Sequence, residues 1–248
     1  NLTIASMDFL DSGSIRSFIS YVKEATVSYM HTLGNKVEVY NLAAQSHVGE
    51  SFKIPSLTHE INAVSVVTLL QVLKEAVRGN FKFYQASTSE LYGNAATASE
   101  TTLSETSEFK PTSPYAIAKH SAFQTVKHYR EVHGIHAVNG ILFNHESPRR
   151  GIDFVTRKIT MGVAEYATAK NQAPISLGNI YAKRDWGDAR DYIKAMHMML
   201  TATHPKDYVV ATGDSSLIQR ELEWKPEHKF KDLVFDMVEN DIQVCKGK

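Results

Sequence analysis

The stretch that decides the fold is Phe81-Lys-Phe-Tyr-Gln-Ala-Ser-Thr-Ser-Glu-Leu-Tyr-Gly93, which leads through a polar run to Ser113-Pro-Tyr-Ala-Ile-Ala-Lys119. Its opening residues, Lys82–Ala86, alternate and are rich in aromatic side chains, which is typical of a strand. The hydroxyl and carboxyl groups at 87–90 follow directly. In a parallel sheet, ligands bind beyond the carboxyl ends of the strands, so this pattern predicts a strand that delivers polar groups to a binding edge.

Tyr115 and Lys119 lie four residues apart in the second part of this stretch. If Tyr115 to about Glu131 is a helix, the two side chains share one face about a turn apart. The ammonium then favours the ionised phenol. A base near neutral pH requires lowering the tyrosine pKa from about 10 by about 2 to 3 pH units, which one close cation in a partly dry site can supply. Such a pair alone also occurs on solvated helix faces; the strand-end hydroxyl groups favour a catalytic pair.

Strand and helix patterns alternate through most of the chain, which predicts an α/β fold with a doubly wound parallel sheet. The alternation breaks after Ser147, which predicts a smaller C-terminal region. Further predicted strands are Leu2–Met7, Val37–Leu42, Ala137–Phe143, Ile175–Leu177 and Tyr208–Thr212. Further predicted helices are one capped by Asp11 or Ser12, one beginning at Thr58 or Asn62, and Phe154–Lys170, Trp186–Leu200 and Phe230–Val244.

Composition limits the function classes. The 248 residues carry 27 acidic and 27 basic side chains, and this neutral balance predicts neither a nucleic-acid partner nor a membrane partner. The most apolar run, Val64–Leu73, is polar-interrupted and short for a bilayer. Cys245 is the single cysteine, so no internal disulfide can form, and we expect a cytoplasmic protein. The histidines at 128, 133 and 136 lack an accompanying cysteine or carboxylate set, so no metal site is expected.

Five sequence blocks, in a fixed order across most of the chain, carry a resemblance to a known family. They are Tyr84-Gln-Ala-Ser-Thr-Ser-Glu-Leu-Tyr-Gly93, Ser113-Pro-Tyr-Ala116, Asn139-Gly-Ile-Leu-Phe-Asn-His-Glu-Ser-Pro-Arg-Arg-Gly151, Phe154-Val-Thr-Arg-Lys-Ile159 and Arg184-Asp-Trp-Gly187. These blocks resemble the GDP-mannose 4,6-dehydratases of the extended short-chain dehydrogenase/reductase superfamily. The resemblance implies a Rossmann-like dinucleotide-binding domain (1–146 with 184–212) and a nucleotide-sugar substrate region (147–183 with 213–248).

The resemblance implies that the protein converts GDP-mannose to GDP-4-keto-6-deoxy-mannose with a tightly held NADP. Tyr115 would take the proton of the sugar 4-hydroxyl. Lys119 would lower the pKa of Tyr115 and hold the nicotinamide ribose. Glu90 would remove the C5 proton and help expel the 6-hydroxyl, and Thr88 would hydrogen-bond the reacting oxygens. A reductase or epimerase of the superfamily does not need this carboxylate; without the match, Glu90 could equally be a helix-start carboxylate favoured by the helix dipole.

The resemblance also implies two sets of binding residues. Asp8 and Phe9 would lie beside the adenine, and the small-residue loop after the Val37 strand would lie under the phosphates and ribose. Small residues there also suit plain helix–strand packing, and a histidine such as His145 is otherwise typical of a structural hydrogen bond. The implied cofactor contacts are Asp8, Phe9, Leu42, Ala43, Ala44, Gln45, Ser46, Tyr115, Lys119, His145 and Arg150. The implied substrate contacts are Ser89, Asn144, Lys158 and Arg184, the last three around the GDP diphosphate.

The chain departs from the family pattern in two places. It contains no G-x-x-G-x-x-G phosphate loop, and Asn1 matches the family's third strand. A second gap falls near Gly213. We expect the whole protein to include these segments. The alternative explanation of the missing segments is a truncated, non-catalytic relative. The alternative for the reaction is a related nucleotide-sugar dehydratase or epimerase. Superfamily members pair through the Tyr115-type helix and its neighbour, so a homodimer or homotetramer is expected.

Overall fold

The computed structural model describes residues 2–33, 36–78, 80–97, 102–213 and 216–247. Its strands are β1 Val37–Asn41, β2 Phe81–Ala86, β3 His136–Leu142, β4 Asn144–Glu146, β5 Trp186–Asp188 and β6 Tyr208–Val210. A four-stranded sheet has the order β1-β2-β3-β6, and every neighbouring pair is parallel. A separate two-stranded parallel sheet joins β4 to β5.

Nine α-helices lie within the described residues: α1 Ser12–Leu33, α2 Val48–Ser51, α3 Pro55–His59, α4 Ser65–Val77, α5 Pro114–His133, α6 Val155–Ala167, α7 Ala189–Thr201, α8 Ser216–Leu222 and α9 Phe230–Cys245. A π-helical turn, Glu60–Val64, joins α3 to α4. After β2, Ser89–Thr97 forms 3-10 turns on either side of Gly93. π-helical turns are rare and occur often at functional sites.

Both faces of the main sheet are covered by helices. On one face, Phe81 and Phe83 of β2 pack with residues of α1, α4 and α5. On the other face, Tyr84 packs with residues of α7 and α8. Each fully buried aromatic side chain of this kind contributes about 1.5–3 kcal/mol through removal from water. The predicted doubly wound α/β fold is confirmed, and the strands predicted at Val37, Lys82, Ala137 and Tyr208 are present with ends displaced by one or two residues.

Two predicted strands are wrong, and one predicted helix is present with a displaced start. Residues 2–8 form no strand, and Leu2 and Ile4 are about nine-tenths exposed, because no strand within the described ranges pairs with this stretch. Ile175–Leu177 is also irregular. The helix predicted from Trp186 begins at Ala189 instead, because Trp186–Asp188 pairs with β4 and the Asp188 side chain caps the helix by accepting from Arg190 N at 2.8 Å.

The helical segment that contains α4 is longer than the apolar run Val64–Leu73 identified in the sequence. The helical segment Pro55–Val77 has 23 residues and is apolar enough to cross a membrane by length and composition. Half of its most apolar window is buried against the rest of the protein, as in the core helix of a globular domain, so this is weak evidence for a membrane segment. The predicted domain division stays a prediction, and Asp214, beside the expected second gap, lies outside the described residues.

Candidate active site

A cavity of about 590 Å³ opens at the carboxyl edge of the main sheet. Three strand ends supply its floor: the loop after β1, the Ser87–Glu90 run after β2, and Phe143–His145 after β3. This is the edge at which parallel α/β sheets bind ligands. The lining residues that the resemblance had singled out are Leu42, Ala44, Ser46, Thr88, Ser89, Glu90, Tyr115, Lys119, Asn144, His145 and Arg150.

Tyr115 and Lys119 enter the cavity from the first turns of α5. Ser113 caps this helix by accepting a hydrogen bond from Ala116 N at 3.1 Å, and proline at the first helical position fits the start of a helix. Lys119 Nζ lies 5.9 Å from the centroid of the Tyr115 ring and donates to Ala86 O at 3.2 Å. Both side chains are buried, with Lys119 only 3% exposed. The spacing of four residues therefore brings the phenol and the amine together as predicted.

The electrostatics of this pair differ from the expectation. Burial raises the pKa of Tyr115 to about 12; a hydrogen bond from Thr88 and the charge of Arg150 lower it, and the charge of Glu90 raises it further. The expected lowering by Lys119 is absent from these causes. Burial also lowers the pKa of Lys119 to about 8. In the free protein, desolvation outweighs the nearby charges, so the phenol is held protonated.

The hydroxyl group of Thr88 lies beside the Tyr115 phenol where β2 ends, and Ser87 and Glu90 also line the cavity. Thr88 Oγ1 accepts from Glu90 N at 3.2 Å at the start of the 3-10 turn. Ser87 Oγ is buried and has no hydrogen-bond partner within the described part of the chain. A buried hydroxyl without a partner is costly, so this atom is available to a bound ligand.

His145 contributes an imidazole with a defined orientation. Its Nδ1 lies 3.0 Å from Phe143 O, and because a carbonyl only accepts, Nδ1 carries the proton and Nε2 is left as an acceptor. The ring stacks on Tyr192 with centroids 4.8 Å apart. Burial lowers the pKa of His145, which keeps the ring neutral.

Arg150 is held by its neighbours at the cavity wall. Its guanidinium lies 3.7 Å from the centroid of the Phe154 ring. Arg150 Nε is 3.1 Å from Glu146 Oε2, an ion pair without hydrogen-bond alignment. Arg157 donates to the backbone oxygen of Arg150 at 2.8 Å and forms a buried ion pair with Asp241 at 2.7 Å. The loop that carries Arg150 is therefore tied to α6 and α9.

Several residues of the implied binding sets lie outside the cavity lining. Ala43 and Gln45 belong to the lining loop without facing the cavity. Phe9 packs against the core next to α1, and the exposed Asp8 accepts from Leu10 N at 2.8 Å. Lys158 and Arg184 are exposed on α6 and on the irregular segment before β5. Their assignment to ligands stays a prediction.

Sequence reasoning missed part of the lining. His47, Val48 and Gly49 directly follow the predicted loop, so continuing that loop by three residues would have found them. Ile193 and Met196 come from α7, whose helical periodicity was recognised but not its approach to the cavity. Within the described ranges, no group of three or more His, Cys, Asp or Glu side chains could hold a metal ion.

Comparisons with known proteins identify the family of this chain. The family model described as GDP-mannose 4,6 dehydratase matches residues 30–219. The chain is 44% identical to the GDP-mannose 4,6 dehydratase of Dictyostelium discoideum over 224 residues, covering 90% of this chain and 58% of that protein. It is 42% identical to the Homo sapiens GDP-mannose 4,6 dehydratase over 248 residues, covering 99% of this chain and 62% of that protein.

A solved structure shows the same fold at low identity. The structure of RMD from Pseudomonas aeruginosa complexed with NADPH superposes with a TM-score of 0.84 and 20% identity, covering 98% of this chain and 89% of that chain. The chain spans little more than half the length of the first curated relatives it matches, at 58%, 54% and 53%. On the family match and these identities, the chain belongs to the GDP-mannose 4,6 dehydratase family.

Proposed function

We propose that the protein converts GDP-mannose to GDP-4-keto-6-deoxy-mannose with NADP as its hydride carrier. The observation that carries this proposal is the meeting of a phenol, an amine, a hydroxyl and a carboxylate, from Tyr115, Lys119, Thr88 and Glu90, around one cavity. The curated relatives named GDP-mannose 4,6-dehydratase support the substrate and the reaction. A related nucleotide-sugar epimerase is the alternative, but it has no use for the carboxylate of Glu90.

The cavity fits the nicotinamide half of such a cofactor. Lys119 Nζ makes one protein hydrogen bond among the described residues, to Ala86 O, which leaves two of its three N–H groups for ribose hydroxyls. The orphaned Ser87 Oγ and the small side chain of Ala44 leave a polar and open wall. The pyrophosphate end requires donors that the 248 residues do not supply as a glycine-rich loop. One solved structure of the same fold, RMD from Pseudomonas aeruginosa, is complexed with NADPH, which supports this class of cofactor.

When bound, NADP would take the hydride from C4 of the sugar and return it to C6. The chain's own residues handle the protons. Tyr115 takes the proton of the 4-hydroxyl, with Thr88 hydrogen-bonded to the phenol oxygen. Glu90 then removes the C5 proton, which the 4-ketone has acidified, and assists departure of the 6-hydroxyl as water. Two acid/base groups of different type are needed because two different protons move.

Tyr115 must lose its proton from a state in which burial has raised its pKa to about 12. The Thr88 hydrogen bond and the Arg150 charge stabilise the phenolate and oppose burial. A substrate hydroxyl in the cavity adds a further hydrogen bond to the ionised form, which favours it. The phenol therefore releases its own proton to solvent when substrate binds, and the phenolate then accepts the proton of the sugar 4-hydroxyl.

We also propose that the chain pairs with a second copy through α4 and α5. Val64 and Val67, on and beside the π-helical turn, and Ile117 of α5 are exposed and apolar. Leu57 of α3, a helix that packs against α5, is also exposed and apolar. Apolar surface of this kind on adjacent helices is typical of protein interfaces.

The test is incubation of the whole protein with GDP-mannose and no added cofactor, following substrate loss and appearance of a 4-keto sugar. We expect turnover by the unsubstituted protein and an arrest in Glu90→Gln with reduced nicotinamide visible by absorbance, because the C5 proton stays in place. Glu108→Gln changes an exposed carboxylate paired with Lys110 and serves as the control. No turnover even with NADP supplied would refute the proposed function.

A further inference from the structure

The first turn of α5 leaves one backbone donor, an N–H group, that the helix itself does not satisfy. Helix starts carry several N–H groups without intrahelical partners. Pro114 has no N–H group, Ser113 Oγ accepts from Ala116 N at 3.1 Å, and Ser113 O accepts from Ile117 N at 2.9 Å. The remaining N–H belongs to Tyr115. It lies at a buried position, so it needs an acceptor from elsewhere in the protein.

Ser51 is that acceptor. Its Oγ lies 3.2 Å from Tyr115 N, although the two residues are 64 positions apart in the chain. The same Oγ donates to Val48 O at 2.6 Å, so its proton is engaged and its lone pairs are free for the Tyr115 N–H. The residue is fully buried, at 0% exposure. One hydroxyl therefore joins the end of α2 to the start of the helix that carries Tyr115.

The position of this hydroxyl matters because both of its partners border the cavity. Val48 and Tyr115 both line it, as does Lys119. The phenol oxygen lies at the far end of a long side chain, so a small tilt of the Tyr115 backbone becomes a larger displacement there. Catalytic groups displaced by about 1 Å can lose about a hundredfold in rate.

We propose that Ser51 is a positioning residue for Tyr115, which holds the backbone of this residue so that its phenol keeps a fixed place in the cavity. The catalytic consequence rests on the proposed function; the contact itself does not. Ser65 offers a matched comparison, because it is also buried but donates only to Ile61 O within its own helical segment.

The first experiment measures hydrogen exchange at the Tyr115 amide in the whole protein. In Ser51→Ala we expect this amide to exchange about tenfold faster, since a buried donor loses its acceptor, while the Ala116 amide, held by Ser113, keeps its rate. Ser113→Ala reverses this pattern. Ser65→Ala changes neither amide. Equal exchange at Tyr115 with and without the Ser51 hydroxyl overturns the proposal, whatever the activity of the protein.

The second experiment follows GDP-mannose turnover. Ser51→Ala is expected to lower kcat about tenfold or more with KM nearly unchanged, and Ser51→Thr, which keeps a hydroxyl, to recover most of the rate. Faster amide exchange together with an unchanged kcat limits Ser51 to a structural cap and overturns its positioning role. If the unsubstituted protein shows no turnover, the proposed function fails, and the exchange result still decides whether Ser51 holds Tyr115. If Ser51→Ala does not fold, Ser51→Thr with wild-type exchange and lowered kcat would contradict the proposal.

Discussion

Replacing Lys119 with methionine should make the ligand-free protein more stable while it removes the proposed activity. Lys119 is 3% exposed and its ammonium makes one protein hydrogen bond among the described residues, to Ala86 O. Burial therefore disfavours its charged form and lowers its pKa to about 8. Methionine fills a similar volume without a charge, so the substitution removes the burial penalty with little change in packing.

The size of the effect follows from the displaced pKa. Lowering it from 10.5 to about 8 corresponds to about 3 kcal/mol at about 1.4 kcal/mol per pH unit. Loss of the hydrogen bond to Ala86 O takes back about 1 kcal/mol. At pH 7 the Lys119→Met protein should therefore be more stable to unfolding by about 2 kcal/mol, and a functional residue held at a stability cost is a common arrangement.

The sign of the pH dependence is also determined. Below about pH 8, Lys119 is charged in both the folded and the unfolded protein, and the full penalty is present. Between about pH 8 and 10.5, the unfolded chain binds a proton that the folded protein has lost, so wild-type stability rises with pH relative to the variant. The advantage of Lys119→Met should fall to zero within this range and reverse near its upper end, where only the lost hydrogen bond of about 1 kcal/mol remains.

Urea unfolding of both ligand-free proteins from about pH 7 to about pH 10 measures this difference. Other titrating groups are common to both proteins and cancel. Lys127→Met, which changes a half-exposed lysine of the same helix that pairs with Glu131, is the control and should stay within about 0.5 kcal/mol of wild type. A destabilised Lys119→Met protein at pH 7, or a difference that does not change with pH, would refute the claim that the ammonium is desolvated.

Two further substitutions test the surroundings of the cavity. Asn62 accepts from Gln45 N and donates to Gln45 O, both at 2.9 Å. Asn62→Ala should therefore free the loop after β1 and weaken NADPH binding about tenfold or more, as measured by fluorescence titration. An unchanged affinity would contradict the proposed contact between this loop and the cofactor. A Cβ at position 187 would lie 2.4 Å from Tyr192 Cε2, whereas one at position 178 would meet nothing within 4 Å. Gly187→Ala should therefore cost about 1–3 kcal/mol in urea unfolding and Gly178→Ala almost nothing; equal midpoints for the two variants would contradict the packing around Tyr192.

The sequence predicted the parts of this protein that depend on local pattern. Alternation within Lys82–Ala86 located the central strand, and the spacing of Tyr115 and Lys119 placed both side chains on one helix face. Strand–helix alternation predicted the parallel sheet and its binding edge. These features follow from the periods of strands and helices, which are properties of neighbouring residues.

Contacts between segments distant in the sequence could not be predicted from local periodicity. Leu2–Met7 has a strand-like pattern, but the part of the chain that the structure describes places no strand beside it. Trp186–Asp188 was predicted as helix and is a strand because it pairs with β4. Lys158 and Arg184 carry the expected charges, yet the fold leaves both exposed outside the cavity lining. Their distance from the cavity depends on the path of the whole chain.

The chemistry of the site depended on both levels. The sequence by itself determined which groups are available: the phenol, the amine, the hydroxyl groups and the carboxylate. Only the tertiary structure decided the pKa values of these groups and the contacts that hold them in place, because desolvation and contacts between distant segments arise on folding. It raised the pKa of Tyr115 where the spacing had predicted a lowering by Lys119, and it brought Ser51 to the Tyr115 amide across 64 positions of the chain.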